Sequence, residues 1–391
     1  MGMDAILGER NRSSAPKYRR LADLLSSYIL SEVFHAGDRL PSEQELRCRY
    51  GFSHATIKRA VAEVVRQGLA YTVQGKGWFV AHRPAVSSQQ VHPGGCDRRR
   101  PPIALVWSYY ANDFCARFLR GVLDELRDEG PALEMYDARD TYRRENEIFA
   151  VLSDRPLSGI LFLPGYADRP YRHLVRLTER GVPCVLVDSW THGVIADCVF
   201  IDNRDGMRRA VAYLIARGHR RIVYIGRRSL HSVVAERFRG YCDALQARGI
   251  PVSEELVWMR NDDTYASDQD EGYAKTISAL AAGVRFTAIA AQNDATAAGA
   301  FRALCDKGLR VPDHVSLIGF DDSTEARFLP VGLTTVAQDV SALGSTAVRL
   351  LRERMTRIKA APRQTIVLKT ILVRRHSVRR LLPARARFVV R

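Results

Sequence analysis

Leu40-Pro41-Ser42-Glu43-Gln44-Glu45-Leu46, followed by Tyr50-Gly51-Phe52-Ser53-His54-Ala55-Thr56-Ile57-Lys58-Arg59-Ala60-Val61, is the stretch on which the fold of the N-terminal part turns. Ser42 and Glu45 stand three apart, as a capping box requires: the hydroxyl takes a backbone N–H of the first turn, and the carboxylate returns to the N–H of Ser42. With Pro41 just outside, a short helix running to about Tyr50 is expected. Gly51 ends it, because glycine enters the left-handed region at a helix C-terminus at little cost. Ser53 is placed to N-cap the next helix. There Ile57, Ala60, Val61, Val64 and Val65 recur at i, i+3, i+4, i+7 and i+8, which is one buried stripe at helical period. His54, Thr56, Lys58 and Arg59 stay near the start of that helix, off the stripe.

Further along, Tyr71-Thr72-Val73 and Trp78-Phe79-Val80 are β-prone runs, and Gln74-Gly75-Lys76-Gly77 supplies the turn between them. Lys76 then sits at the tip of a wing, placed to reach phosphate or the minor groove. Two helices joined by a short turn, with polar donors at the start of the second, make a helix-turn-helix. The second helix of such a motif enters the major groove N-terminus first. A small helical domain with a solvated basic face is the competing reading. The ordered set of capping box, turn, polar helix start and Gly-Lys-Gly wing speaks against it.

The segment resembles the winged helix-turn-helix of the GntR family of bacterial transcription regulators. The typical pattern there is L-P-S-E-R-x-L, then G-V-S-R-x-T-V-R-x-A-L, then Q-G-x-G-x-F-V. The resemblance implies DNA contacts at Gln44, His54, Thr56, Lys58 and the wing Gly75-Lys76-Gly77. Ser42, Ser53 and Arg59 complete the expected DNA-binding set. Gln44 and His54 stand where the family usually has arginine. Arginine forks onto guanine O6 and N7, whereas glutamine prefers adenine N6 and N7. An inverted-repeat duplex operator with altered base preference is therefore expected, with Lys58, Arg59 and Lys76 keeping the phosphate term.

At 391 residues the chain is too long for one compact core and suits two or three domains. Its formal net charge of +16 favours a polyanionic partner, without separating DNA from RNA or an anionic membrane. Part of the excess crowds into Arg374, Arg375, Arg379, Arg380, Arg385, Arg387 and Arg391, a solvated end or a DNA-contacting arm. The seven cysteines are odd in number and scattered, with no C-x-x-C pair, as expected of reduced thiols in a cytoplasmic protein. The ten histidines are dispersed and show no metal-ligand spacing, so neither a metal nor a cofactor is expected. The polar start has no secretory apolar region, and no apolar run approaches the roughly 20 residues that span a bilayer, so no membrane partner is expected.

Residues 83–101 are rich in Pro, Ser, Gly and Arg and read as a flexible linker. Beyond it, short apolar runs alternate with amphipathic stretches. Strands are expected at Ile103–Trp107, Leu133–Tyr136, Ile160–Leu163, Cys184–Val187, Ile222–Ile225, Ala288–Ala291 and Val315–Phe320, with helices between them. Such β-α-β alternation means mostly parallel sheets covered on both faces. The run is longer than one open sheet usually takes, so two lobes are expected, with a ligand cleft at the carboxyl ends of their strands. The expected architecture is therefore multidomain: a small α+β winged helix-turn-helix domain, then an α/β two-lobed domain with parallel sheets. The expected boundaries are a disordered N-terminus over 1–15, the head over 16–82, the linker over 83–101, the body over 102–377 and a basic tail over 378–391.

The body carries Phe118-Leu119-Arg120-Gly121-Val122, Arg180-Gly181-Val182-Pro183-Cys184-Val185-Leu186-Val187-Asp188, Gln292-Asn293-Asp294 and Val315-Ser316-Leu317-Ile318-Gly319-Phe320-Asp321-Asp322. On these stretches it resembles the effector-binding domain of LacI-type repressors, which is related to periplasmic sugar-binding proteins. A GntR-type head on such a body resembles the arabinose-responsive AraR class. The LacI-type hinge helix is absent, and the linker takes its place. The resemblance implies that Arg237 forks onto ligand oxygens and that Asn293 and Asp321 complete polyol recognition. Asp188 joins the expected effector set, with Tyr109, Phe114 and Trp190 as aromatic walls; Asp294 is expected to fix a local turn. A structural ion pair of Arg237 and Asp321, with each other or with a nearby group, and plain packing of Trp190 and the tyrosines, are the alternatives.

No G-x-S-x-G, H-E-x-x-H or G-x-x-x-x-G-K-[ST] pattern occurs, so no covalent chemistry is expected. The resemblance implies a cytoplasmic, homodimeric, ligand-controlled repressor of sugar-use genes, released by a sugar. A regulator with a purine-like co-repressor and a transport-linked sugar-binding protein are the alternative readings.

Overall fold

The capping box closes as its spacing requires: Ser42 N–H donates to Glu45 Oε2 at 2.6 Å and Glu45 N–H to Ser42 Oγ at 3.3 Å. This computed structural model describes residues 17–30, 34, 37–66, 69–73, 76–81, 88–91, 100–107, 113–126, 130–138, 141–166, 169–227, 232–260, 267–356 and 362–381. They fall into two separate units, divided between Ser87 and Ser88.

The first unit, the head, has helices α1 (Lys17–Leu30), α2 (Glu43–Tyr50) and α3 (His54–Arg66) and strands β1 (Ala70–Val73) and β2 (Gly77–Val80). Gly51 stops α2 at φ +65°, and its N–H donates to the Arg47 carbonyl at 2.9 Å. The stripe Ile57, Ala60, Val61 and Val64 is buried against Leu21, Leu25 and Ile29 of α1 and against Leu40 and Leu46. Each full burial of an aliphatic side chain of this size is worth roughly 1.5–3 kcal/mol. The wing pairs antiparallel with Tyr71 opposite Phe79. A third edge was not anticipated: Leu40 N–H donates to the Trp78 carbonyl and Val80 N–H to the Asp38 carbonyl, each at 2.9 Å. Residues 37–40 thereby fasten the wing to the helices.

The body holds two sheets. Lobe one is seven-stranded, in the order β14-β8-β7-β6-β4-β5-β3. Its strands are β3 (Ser88–Val91), β4 (Ile103–Trp107), β5 (Leu133–Asp137), β6 (Gly159–Leu163), β7 (Cys184–Val187), β8 (Asp197–Ile201) and β14 (Thr365–Leu368). Lobe two is six-stranded, in the order β10-β9-β11-β12-β13-β15. Its strands are β9 (Ile222–Arg227), β10 (Val257–Arg260), β11 (Ala288–Ala291), β12 (Ser316–Asp321), β13 (Thr334–Ala337) and β15 (Ile371–Val373). The central strands are parallel and buried along their length, as sheets covered on both faces must be. The chain passes between the lobes after β8, after β13 and after β14.

In lobe one, α4 (Asp113–Leu126) packs on α12 (Val340–Thr356). The helices meet so closely that a Cβ on Gly121 would lie 2.0 Å from the Ser341 carbonyl oxygen. The remaining helices that bear on function are α7 (Asn203–Ala216), α8 (Ser232–Gln246), α9 (Asp268–Ala281) and α10 (Asp294–Asp306) in lobe two.

Two expectations are corrected. Within the expected linker, Ser88–Val91 forms a strand that pairs antiparallel with β5, Ser88 opposite Tyr136. An edge strand needs only backbone pairing, so its polar composition hid it. In the expected tail, Arg379 N–H donates to Ser316 Oγ at 3.1 Å and Leu381 N–H to the Arg217 carbonyl at 2.7 Å. Buried His219 holds the same segment, with Nε2 3.2 Å from the Arg379 carbonyl and Nδ1 3.0 Å from Thr287 Oγ1. The expected disordered N-terminus and residues 382–391 lie outside the described residues.

Candidate functional site

At the head, the start of α3 and the turn of the wing carry the expected groups. Gln44, His54 and Lys58 are exposed, and Thr56 is half-buried. Ser42 and Ser53 use their hydroxyls as helix caps, Ser53 Oγ lying 3.4 Å from Thr56 N and 2.9 Å from Thr56 Oγ1. The His54 ring nitrogen Nδ1 bonds the Glu43 carboxylate, which locks the orientation of the imidazole. Arg59 lies with its guanidinium 4.0 Å from the centre of the Tyr18 ring, so packing and charge share that residue. Lys76 is exposed at the turn, and Gly77 takes φ +110°. Gly75 lies outside the described residues.

Sequence reasoning missed Arg39, whose guanidinium lies over the wing: a Cβ on Gly77 would meet its Nε at 3.4 Å. The one signal was a cation directly ahead of the capping box.

In the body, Asp188 follows β7 at φ +63°, and Asp321 ends β12 at φ +108°. Backbone of this kind costs about 1–3 kcal/mol at a residue with a side chain, and it recurs where function holds it. Arg237 Nη2 lies 3.1 Å from Asp321 Oδ1. Its Nε donates to Asn203 Oδ1 and its Nη1 to the Gln292 carbonyl, each at 2.8 Å. Its plane covers the Phe320 ring at 3.8 Å. Gln338 Nε2 donates to the same Asp321 oxygen at 2.8 Å. Of the two readings left open for Arg237 and Asp321, the mutual ion pair is therefore formed, and it stands at the strand ends where a ligand would lie.

Burial pushes the Asp188 carboxyl up to about 6, opposed by Arg237 and assisted by the Asp321 charge. Burial likewise raises Asp321 to about 6 against the pull of Arg237. The two acids, one from each lobe, thus sense each other and one shared guanidinium.

The other expected residues divide. Asn293 Oδ1 caps α10 through Thr296 N–H at 2.9 Å, while Nδ2 donates to Asp268 Oδ2 at 2.6 Å. Both ends of its amide are thus engaged with the protein. Buried Asp294 accepts from Ser323 N–H at 2.8 Å and Thr335 Oγ1 at 2.6 Å and fixes that turn. Phe114 packs onto the lobe-one core, its ring 6.4 Å from Phe118. Trp190 is 40% exposed, edge-on to His192. Tyr109 lies outside the described residues.

Arg117 was not anticipated. From α4 of lobe one it donates to two lobe-two carbonyls, Asp321 at 3.3 Å and Gln338 at 2.7 Å. No local pattern announces a contact across so much intervening chain. Among the described residues, no group of three or more His, Cys, Asp or Glu is placed to hold a metal ion.

Residues 17–80 match the bacterial regulatory proteins of the gntR family, and residues 211–378 match the periplasmic binding protein-like domain. The arabinose metabolism transcriptional repressor of Geobacillus stearothermophilus is 27% identical over 376 residues, covering 94% of this chain and 98% of the relative. The HTH-type transcriptional repressor PurR of Yersinia pestis bv. Antiqua (strain Antiqua) is 31% identical over 267 residues, covering 68% of this chain and 76% of that protein. The solved structure of the transcriptional regulator CelR in complex with cellobiose is 27% identical, with a TM-score of 0.62, covering 93% of this chain and 100% of that one. With a capped helix pair and wing in its N-terminal residues and two parallel-sheet lobes in the residues that follow, the chain belongs to the bacterial DNA-binding transcriptional regulators that join a gntR-family head to a LacI-type, periplasmic-binding-protein-like body.

Proposed function

We propose that the protein is a cytoplasmic, homodimeric repressor of carbohydrate-use genes that holds an inverted-repeat operator and lets go when a sugar binds between the lobes of its body. The observation that carries this reading is the Arg237–Asp321 pair at a strand end of lobe two, with buried Asp188, just past β7 of lobe one, near enough to feel both charges. Guanidinium, carboxylate and amide groups at strand ends suit neighbouring hydroxyls, which both donate and accept. The names of two relatives agree, one with arabinose metabolism and one with bound cellobiose. In the head, Gln44, His54, Thr56 and Lys58 read or grip the duplex, and Lys76 and Arg39 hold its phosphates.

A dimer matches two heads to two half-sites, with spacing set by the bodies. A ligand that prefers the closed lobes changes operator affinity by its differential affinity for the two states, usually about 1–3 kcal/mol. Binding, release and change of shape suffice for this, without covalent chemistry. In a second reading a purine-like co-repressor tightens the grip on DNA instead.

The test is operator selection on the full chain, then fluorescence anisotropy of the selected duplex with pentoses, hexoses, disaccharides and nucleobases. Release by a sugar is expected. Tightening by a nucleobase would replace the first reading with the second. Equal binding to tRNA, heparin and every duplex at moderate salt would end both.

A further inference from the structure

We infer that the ligand site of the body takes an uncharged, hydroxyl-rich molecule and rejects the phosphate ester or carboxylate of the same sugar, because two buried acceptor oxygens there, Asp188 Oδ1 and Gln338 Oε1, take no hydrogen bond from a described residue and Asp188 forms no ion pair with a described cation. This inference rests on the effector reading given above and narrows it to a charge class.

The guanidinium groups at the site are already engaged. Arg237 is bonded to Asp321, Asn203 and the Gln292 carbonyl. Arg117 lies 3.4 Å from Asp113 and is bonded to the Asp321 and Gln338 carbonyls. Arg227 is paired with Asp268. Asp188 is the carboxylate left over. It is 7% exposed, and its Oδ1 accepts no hydrogen bond from a described residue. Gln338 Oε1, on a residue 3% exposed, is likewise without a donor, although the amide nitrogen beside it is spent on Asp321.

A buried carboxylate oxygen and a buried amide oxygen can only accept, so what satisfies them must donate. Sugar hydroxyls donate to both and accept from the guanidinium hydrogens that remain. A phosphate or carboxylate brings acceptors and negative charge. At Arg237 it must compete with Asp321 for one positive charge, and displacing Asp321 leaves a buried carboxylate without its counter-charge. It must also face Asp188, whose charge burial and Asp321 already disfavour. The surplus carboxylate thus acts as a device against the wrong ligand as well as a contact for the right one.

The experiment uses the full chain in matched sets at one pH: arabinose with its 5-phosphate and arabinonate, galactose with its 6-phosphate and galacturonate, and cellobiose with cellobionate. Hypoxanthine and adenine form a separate arm. Affinity is read by calorimetry, after a thermal-shift screen. At least one neutral sugar is expected to bind about 100-fold or more tightly than its charged derivatives, since facing like charges across a contact costs several kcal/mol. Asp188→Asn is expected to weaken the neutral sugar and narrow that gap.

A charged derivative binding as tightly as its parent would overturn the charge rule and leave the sugar-effector reading standing. Binding of a nucleobase and of no sugar would overturn both. A gap unchanged in Asp188→Asn would overturn the part assigned to Asp188.

Discussion

Arg237 is bonded to Asp321 at 3.1 Å and lies flat over the Phe320 ring, so a single guanidinium joins a strand end of lobe two to α7 through Asn203. Arg237→Ala and Asp321→Ala are expected to abolish the response to effector while the head still binds operator. Truncating one partner of a buried, hydrogen-bonded charge pair typically costs about 2–5 kcal/mol of binding. Anisotropy of labelled operator with and without effector is the measurement. A normal response in both variants would mean that the ligand binds elsewhere.

If Asp188 and Asp321 receive the effector as proposed, its binding depends on pH. Asp188 and Asp321 titrate at about 6 in the folded chain, above the ordinary carboxyl value of 3.8. Between those values the folded chain holds more protons than the unfolded one, so these groups oppose folding increasingly as pH rises towards 6. Asp188→Asn should therefore stabilise the ligand-free protein at pH 7.5, by an amount on the order of 1–3 kcal/mol. The gain should shrink steadily as pH falls towards 4. His219 runs the opposite way: its pKa is lowered to about 4 by burial, so its contribution is lost as pH falls from 6.5 towards 4. It is common to both proteins and cancels from the difference. Effector affinity in the native protein should fall as pH drops through about 6, because protonated carboxyls no longer accept two hydroxyls. Thermal melts and calorimetry at a series of pH values check both statements.

The wing offers a test that needs no operator sequence. Lys76→Ala and Arg39→Ala are each expected to weaken binding to every duplex alike. Each should lower the slope of log K against log salt by about 1, as the loss of one phosphate contact does. An unchanged slope for Arg39→Ala would show that its place over Gly77 serves only the wing.

His54 is exposed at the start of α3 and bonded to Glu43, and the proposed function gives it a base to read. His54→Arg is expected to change the preferred base at one position in each half-site while keeping binding. Discrimination there should be worth about 1–3 kcal/mol, the scale of a bidentate contact to a base edge. In vitro selection with both proteins is the assay. Identical consensus sequences would remove His54 from the reading set.

Asp197 has no solvent exposure and takes a fork from Arg354, at 2.5 and 2.9 Å, together with the Gln364 N–H at 2.7 Å. These bonds tie α12 to β8 and to the run into β14. Asp197→Ala would strand a buried guanidinium and should cost about 3–5 kcal/mol in chemical denaturation. A loss below about 1 kcal/mol would contradict that role.

The head was legible because its signals are local. Capping box, Gly51 and stripe each act within a few residues, and each formed where its spacing required. In the body the apolar runs of β4, β6, β7 and β11 announced themselves because parallel strands are buried on both faces. Strands such as β8, β13 and β15 were not anticipated. In β8 and β13 the polar residues Asp197 and Thr334 break the apolar pattern although both are buried, and β15 has only three residues. The site was half legible. Arg237, Asp188 and Asp321 stand together, but only three-dimensional structure shows that Asn293 spends its amide on Thr296 and Asp268. Arg117 and Gln338 escaped notice because their partners are distant in the chain.

Because the polypeptide shuttles three times between the sheets, neither lobe is a continuous stretch of sequence. During translation the head is complete once its wing has left the ribosome. Each lobe, in contrast, waits for a strand that lies beyond residue 364. A nascent or prematurely terminated chain can therefore carry a finished DNA-binding head beside a sensor that has not yet closed.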